Sequence, residues 1–470
     1  GKWHQSSDNS TYEVINPANE EVLGHASKAT SIDVEKALKS AKKGLEIWRK
    51  TSPWKRAYII RAIADRMREK QDVLAKWMTL EVGKPFSEAK GEVSGAADIF
   101  EWNSEETKRI YGQTVESRFE DTRVHVYYQP VGVVAALVPW NFPAVLSSRK
   151  ISTALAAGCS VIVKPDVITP GIVMEIVDIC RECGVPPGVV NLLSGDPPSI
   201  AKQLISSDII KKISITGSTR VGKIILKQAA EKVQRVTMEL SGHSPFIVFD
   251  DADIQKATEM AISAKFRNNG QVCISPNRFY IHEDKKEEFV KLFIEKTKKL
   301  KIGDGMDPSV NLGPLTTKKR LSEIEELVET TKEEGAKVLL GGKRPKGFNK
   351  GFYYEPTVFD NIRDDFTIMK VEPFGPLVPM LSFKTFDEVI SRSNNHDLGL
   401  SSYICTNSME KAHRASELME TGTVAVNTPL VAIAEAPFGG IKQTGYGREG
   451  GSMSIKDYLN VKYTHLGLKG

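Results

Sequence analysis

Cys273 ends the run Asn268-Asn269-Gly270-Gln271-Val272-Cys273, so a glycine and side-chain amides lead into it rather than an apolar face. A lone cysteine is more often a small buried hydrophobe. A thiolate, however, attacks carbonyl carbon well, and the thiohemiacetal it forms can lose hydride to a nicotinamide. Glu239, in Met238-Glu239-Leu240-Ser241-Gly242, closes a β-branched run. A carboxylate there usually ends a strand in solvent or joins an ion pair. A thiol mechanism needs a base for the thiol or for a hydrolytic water, and a desolvated Glu can serve.

Asn141 lies in Pro139-Trp140-Asn141-Phe142-Pro143. It either caps a turn shaped by two prolines or gives its amide to a developing oxyanion, worth on the order of 3 kcal/mol in comparable sites. Thr216-Gly217-Ser218-Thr219-Arg220-Val221-Gly222 joins a strand to a helix without being a G-x-G-x-x-G or Walker A loop. It reads as an N-capped helix, or as one whose start attracts a phosphate, with Gly217 letting the backbone approach closely. Lys164, followed by Pro165, offers a cation at the same sheet edge.

The elements that must position these residues come in two textures. The first ~110 residues read as mainly helical: one helix opens at Ser31 or Asp33 as N-cap and runs to about Arg49, and another follows Pro53. From Val131 short β-branched runs (131–138, 160–163, 189–193, 212–215, 235–240, 245–249) alternate with amphipathic stretches such as 171–183 and 219–232. Nearly all-apolar strands separated by helices form parallel sheets covered on both faces. The alternation resumes after Asp253 and includes a strand at 278–282, so two consecutive α/β domains are expected. Loops between the carboxyl ends of such strands and the next helices are where open α/β sheets bind ligands. Residues 123–128 and 457–463 fit neither domain; they are edge strands, or an arm that completes a sheet in a partner subunit.

A chain of 470 residues exceeds one compact core. Its 40% apolar and 26% charged residues are those of a globular protein. The net charge of +5, 64 basic against 59 acidic residues in mixed blocks, leaves no basic stripe for nucleic acid. The longest apolar stretch, 131–140, is far short of the ~20 residues that cross a membrane. The opening Gly-Lys-Trp-His gives no sign of a secretory signal. Cys180 and Cys183 form a C-x-x-C, but no second pair follows at zinc spacing, so no metal is expected. The cysteine usage suits the reducing cytoplasm.

Taken together, in order and spacing, these segments resemble the aldehyde dehydrogenase superfamily from about residue 11 to 463. Leu80-Glu81-Val82-Gly83-Lys84-Pro85, Glu372-Pro373-Phe374-Gly375-Pro376 and Ala436-Pro437-Phe438-Gly439-Gly440 join the motifs above. The resemblance implies a Rossmann-like cofactor domain (1–116 and 129–240), a catalytic α/β domain (241–438) and a β-strand oligomerisation arm (117–128 and 439–470) that builds a homodimer or homotetramer. It implies Cys273 as nucleophile, Glu239 as general base and Asn141 with the Cys273 backbone N–H as oxyanion hole. Lys164 is counted both with this catalytic set and, together with Glu372, as a holder of ribose hydroxyls. Ser218 is implied at the pyrophosphate, and Pro139, Trp140, Asn141, Val167, Gly195, Gly217, Leu240 and Phe374 are the remaining cofactor contacts. Ser241 stands where the family usually has Gly, which bears on the base's freedom to swing, and His243 replaces a common Lys.

NAD-preferring members often carry an acid where this chain has Val167, so NADP is expected to be accepted and slightly favoured over NAD. Arg149 and Arg267, which as isolated residues read as surface arginines, resemble the pair that grips the substrate carboxylate in succinate-semialdehyde dehydrogenases. The expected substrate is succinate semialdehyde, with glutarate semialdehyde or 2,5-dioxopentanoate as alternatives. Gly270-Gln271-Val272-Cys273-Ile274-Ser275-Pro276 also resembles enzymes of the last. A non-catalytic structural or binding member and a CoA-acylating enzyme are the competing readings; the presence of both Cys273 and Glu239 weighs against them.

Overall fold

A computed structural model describes residues 1–468; the last two residues of the expected arm segment 439–470 lie outside the described residues. The chain opens with a hairpin, β1 (Thr11–Ile15) and β2 (Val22–Ser27), which the helical reading of this region missed. Each strand is only five or six residues long, too short for periodicity to stand out against a helix-rich flank. Helices α1 (Ser31–Trp48), α2 (Pro53–Glu69), α3 (Gln71–Val82) and α4 (Phe86–Thr107) follow. The N-cap of α1 is Thr30, not Ser31 or Asp33. Asp33 instead fills the third helical position and returns a bond to the Thr30 N–H at 3.0 Å, so a capping box satisfies two free helix donors.

Strands β3 (Gln113–Val115) and β4 (Thr122–Pro130) run out of the body. The chain then returns through β5 (Val133–Leu137), α5 (Pro143–Ala157), β6 (Ser160–Lys164), α6 (Pro170–Glu182), β7 (Val190–Leu192), α7 (Pro197–Ser206), β8 (Ile210–Thr216), α8 (Thr219–Ala230) and β9 (Arg235–Glu239). The five strands pair in parallel in the order β7-β6-β5-β8-β9. From β5 the chain winds one way to β7 and the other way to β9, giving a Rossmann-like sheet. Its switch point lies between β5 and β8, at whose carboxyl ends sheets of this kind bind ligands.

A second sheet is built from β10 (Ser244–Val248), α9 (Ile254–Phe266), β11 (Pro276–His282), α10 (Glu283–Thr297), α11 (Lys318–Glu333), β12 (Lys337–Leu340), β13 (Thr357–Asp360), β14 (Leu377–Phe383), α12 (Phe386–Asn394), β15 (Leu398–Gly399), β16 (Ser401–Cys405), α13 (Met409–Leu418) and β17 (Thr423–Val426). Its order is β12-β13-β14-β11-β10-β16-β17, all parallel except β12, while β15 pairs separately with β18 (Ile441–Lys442). The final strand, β19 (Leu459–Gly467), pairs antiparallel with the whole of β4 in the three-stranded sheet β19-β4-β3. Residues 441–458 lie elsewhere: the Gly445 and Gly447 turn rests on β9, and Glu449 reaches Lys150 on α5. Among the described residues no helix is long and apolar enough to cross a membrane, and no cluster of His, Cys, Asp or Glu is arranged to hold a metal.

Candidate active site

Glu239 is the last residue of β9, and β10 begins five residues later, so the chain steps here from one sheet to the other. Cys273 lies against that step: a Cβ on Gly242 would sit 2.2 Å from the Cys273 carbonyl oxygen. Immediately before Cys273 the backbone coils left-handed at Asn268 (φ 47°), Asn269 (φ 53°) and Gly270 (φ 75°). Asparagine tolerates this conformation and glycine suits it. The buried amides hold the coil: Asn268 Nδ2 donates to Gln271 O at 3.2 Å, Gln271 Nε2 to Asn268 O at 3.1 Å and Asn269 Nδ2 to Gly313 O at 2.9 Å. The amide-rich run that marked this segment in the sequence is therefore the scaffold of the loop.

Glu239 is 1% exposed, and neither carboxylate oxygen makes a geometrically sound hydrogen bond. Burial raises its pKa to about 8 and Glu449 adds to the rise; the nearby Cys273 thiol and Lys150 oppose it. Cys273 is half-buried. Burial pushes its thiol well above the ordinary value, Glu239 and Glu372 add to this, and Arg267 works against it. A neutral thiol thus faces a carboxyl group whose own proton affinity burial has raised, which favours transfer between them over transfer to an ordinary carboxylate.

Asn141 is buried at the carboxyl end of β5, just before α5. Its Nδ2 donates to Gln271 O at 3.2 Å, which leaves the second amide hydrogen for another acceptor. Pro139 and Trp140 are half-buried beside it, and the Trp140 ring meets Phe374 edge-on at 5.6 Å.

The other expected residues line the carboxyl edge of the Rossmann-like sheet. Lys164 ends β6 at 4% exposure and forms no ion pair within the described residues; burial lowers its pKa to about 8 against the pull of Asp166 and Asp196. Val167 is half-buried three residues on. Gly195 takes φ 133°, and a Cβ there would press within 2.9 Å of Ala29 N. A Cβ on Gly217 would meet nothing within 4 Å, so no neighbour in this chain demands glycine at that point. Ser218 caps α8, accepting from Val221 N at 3.4 Å. Leu240 is buried against Gly222. Glu372 accepts from Gly242 N at 3.3 Å. Burial lifts it to about 7 while the Ser241 hydroxyl, the Gly242 N–H, Arg320 and Lys265 pull it down. Phe374, two residues later, has φ 49°.

Arg149 sits on α5 at 3% exposure, its guanidinium 5.1 Å from the Phe438 ring. Nη2 reaches Ile433 O only at 3.5 Å, and Nη1 has no partner among the described residues. Burial lowers its pKa while Glu449, Glu239 and Cys273 raise it, so the cation lies within electrostatic reach of the thiol. Arg267 is exposed, stacks over Phe142 at 4.5 Å, and also acts electrostatically on Cys273. His243 is buried with both ring nitrogens unpartnered, its ring 5.0 Å from that of His396.

Sequence reasoning passed over two buried ion pairs beside these residues. Lys150 Nζ bonds Glu449 Oε1 at 2.5 Å and Thr216 Oγ1 at 2.7 Å, behind Glu239. Lys84 Nζ bonds Glu92 Oε2 at 2.5 Å and Asn141 O at 2.8 Å. One signal was readable: Arg149-Lys150 puts two cations into an otherwise apolar and small-residue helix. The other partners are distant in sequence and gave none.

The sequence model of the aldehyde dehydrogenase family matches residues 3–464. The chain is 40% identical to the succinate-semialdehyde dehydrogenase [NADP(+)] of Escherichia coli, across 100% of this chain and 97% of that protein. It is 41% identical to the glutarate-semialdehyde dehydrogenase of Pseudomonas putida, across 98% and 96%. The crystal structure of betaine aldehyde dehydrogenase from Staphylococcus aureus in complex with NAD+ superposes with a TM-score of 0.98 at 33% identity, covering 100% of this chain and 94% of that one.

Proposed function

Because the chain belongs to the aldehyde dehydrogenase family, we propose that it oxidises an aldehyde bearing a distal carboxylate, succinate semialdehyde first, to the dicarboxylic acid through a covalent intermediate on Cys273. The single observation that carries the substrate class is the buried Arg149 guanidinium, whose Nη1 is unpartnered among the described residues and which lies within electrostatic reach of Cys273 and Glu239. A desolvated guanidinium with an unmet hydrogen bond and, among the described residues, no ion-pair contact is costly, and a substrate carboxylate relieves that cost. Arg267, at the solvent side of Phe142, supplies a second cation. The E. coli and P. putida relatives are named for semialdehydes that carry such a carboxylate; glutarate semialdehyde is the alternative.

In this reading the Cys273 thiol gives its proton to Glu239 as sulfur bonds the aldehyde carbon. The new oxyanion takes the free Asn141 amide hydrogen and the Cys273 backbone N–H. When bound, the nicotinamide dinucleotide supplies the hydride acceptor. With that proton passed on to solvent, Glu239 deprotonates the water that attacks the resulting thioester and returns the proton to the departing Cys273 sulfur, releasing the acid. The carboxyl edge fits such a cofactor: Lys164 is a buried cation that forms no ion pair among the described residues, and open space beside Gly217 adjoins the start of α8, where a phosphate is favoured. Glu372 and Lys164 would hold the ribose. Val167, in place of an acid, supports acceptance of NADP with a slight preference over NAD, and the E. coli relative's name agrees. The reading includes a cytoplasmic protein working as a homodimer or homotetramer.

The test compares Arg149→Ala and Arg267→Ala with the unsubstituted enzyme on succinate semialdehyde and on an uncharged aldehyde of similar length, with NADP and with NAD. We expect KM for the acid aldehyde to rise about 10- to 100-fold, as loss of ~1.5–3 kcal/mol of charge-assisted bonding implies, with little change for the uncharged one. Equal losses on both substrates would exclude the carboxylate clamp. A kcat/KM for NAD a hundredfold above that for NADP would exclude the cofactor preference.

A further inference from the structure

The stretch Leu80-Glu81-Val82-Gly83-Lys84-Pro85 and helix α4 carry charges that no step above uses. Lys84 and Glu92 are a fully buried ion pair, and the ammonium also lies 3.9 Å from the Phe142 ring centroid. Its remaining bond goes to the backbone oxygen of Asn141, 2.8 Å away. The second Glu92 oxygen, Oε1, accepts from Ala144 N at 2.9 Å and Val145 N at 3.3 Å, the first turn of α5. One turn earlier on α4, Glu88 Oε2 accepts from Asn268 N at 2.8 Å. Asn268 Nδ2 in turn donates to Asn141 O at 3.1 Å.

These bonds join three segments that are far apart in sequence. The Asn141 turn is gripped at its carbonyl by Lys84 and at the helix that follows it by Glu92. The nucleophile loop is gripped at its first residue by Glu88. Both loops therefore take their position from one face of α4, and α4 itself packs along α2, α3 and α5. A backbone carbonyl fixed by an ammonium and an amide leaves little freedom to the side chain on the same residue, whose Nδ2 already bonds Gln271 O. Charge-assisted bonds in a dry interior are strong and directional, so this arrangement sets a position rather than merely filling space.

We propose that Lys84 and Glu92 are positioning residues for the oxyanion hole, registering the Asn141 amide against the Cys273 loop. This rests on the reading of Asn141 as the oxyanion donor. Neither residue touches the substrate; their effect passes through the Asn141 backbone.

The experiment is a double-mutant cycle of Lys84→Met and Asn141→Ala, read as kcat on succinate semialdehyde, with KM, dinucleotide Kd by fluorescence titration, and thermal unfolding measured in parallel. The Asn141→Ala change removes only the amide; the carbonyl that Lys84 grips remains. We expect Asn141→Ala to lower kcat about 100-fold or more and Lys84→Met about tenfold or more. In the Asn141→Ala background, Lys84→Met should cost no more than about threefold, because coupled residues are not additive. KM and dinucleotide Kd should stay within about twofold, since neither Arg149 nor the Lys164 edge is altered. If Lys84→Met does not fold, Lys84→Met/Glu92→Gln removes the stranded buried charge while keeping an acceptor for Ala144 N–H, and replaces it in the cycle. A full multiplicative loss in the double variant overturns this inference alone. Wild-type kcat in Asn141→Ala overturns the reading of Asn141, and this inference with it.

Discussion

A carboxyl group buried beside a second carboxylate keeps its proton to a higher pH than one in water, and Glu239 beside Glu449 is in that position. Its pKa of about 8 against an ordinary 4.5 has two consequences of opposite benefit. As the base of the proposed mechanism it would act only when ionised, so kcat should rise about tenfold per pH unit up to about pH 8 and then level off. For stability the sign runs the other way. A raised pKa means that the folded state holds a proton the unfolded chain releases, so this contribution is complete below about pH 4.5 and is lost as pH climbs through about 8. Glu239→Gln should therefore match the unsubstituted protein in denaturation near pH 4.5 and exceed it at pH 9 by on the order of a few kcal/mol, while losing the rising limb of the rate profile. Equal stability at pH 9 would show that the carboxylate is solvated in a way its burial denies.

At the scale of elements, the Cys273 loop depends on glycine where no side chain is possible. Gly270 has φ 75°, and a Cβ there would lie 2.2 Å from Gly375 O, in the loop that carries Glu372 and Phe374. The two loops therefore interlock through bare backbone, which sets Glu372 close enough to raise the Cys273 thiol. Gly270→Ala combines a left-handed alanine with that contact. It should cost at least ~1–2 kcal/mol of stability and should also alter the rate at which iodoacetamide alkylates Cys273 in the dinucleotide-free protein. Unchanged alkylation and unfolding would mean the loops can separate without consequence.

At the scale of the molecule, the three-stranded sheet β19-β4-β3 stands apart from both large sheets, and its outer strand β19 exposes Val461 (67%), Tyr463 (68%) and Leu466. An unpaired edge with exposed apolar side chains invites pairing with another strand or packing on a second copy. On the proposed homo-oligomer, Val461→Asp with Tyr463→Asp should lower the mass measured by light scattering towards that of a single chain, with the far-ultraviolet circular dichroism preserved. An unchanged mass would place the subunit contacts elsewhere.

The sequence by itself determined the strand–helix alternation from Val131 and the places where strand ends meet helix starts, and it marked Cys273, Glu239 and Asn141 as candidates to act on a carbonyl. Hydrophobic periodicity and short motifs are local, and local patterns survive in one dimension. The β1–β2 hairpin was lost because two strands of five and six residues lack the length for a periodic signal. The expected cap of α1, Ser31 or Asp33, lies one or three positions past the actual one because Thr30, Ser31 and Asp33 are all capable caps, and only the φ/ψ of Thr30 decides among them. The tertiary structure alone decided which charges are buried together. Lys84 meets Asn141 across 57 residues and Lys150 meets Glu449 across 299. The proton affinity of Glu239 and the unmet bonds of Arg149 arise from desolvation, which exists only once the two sheets have closed around them.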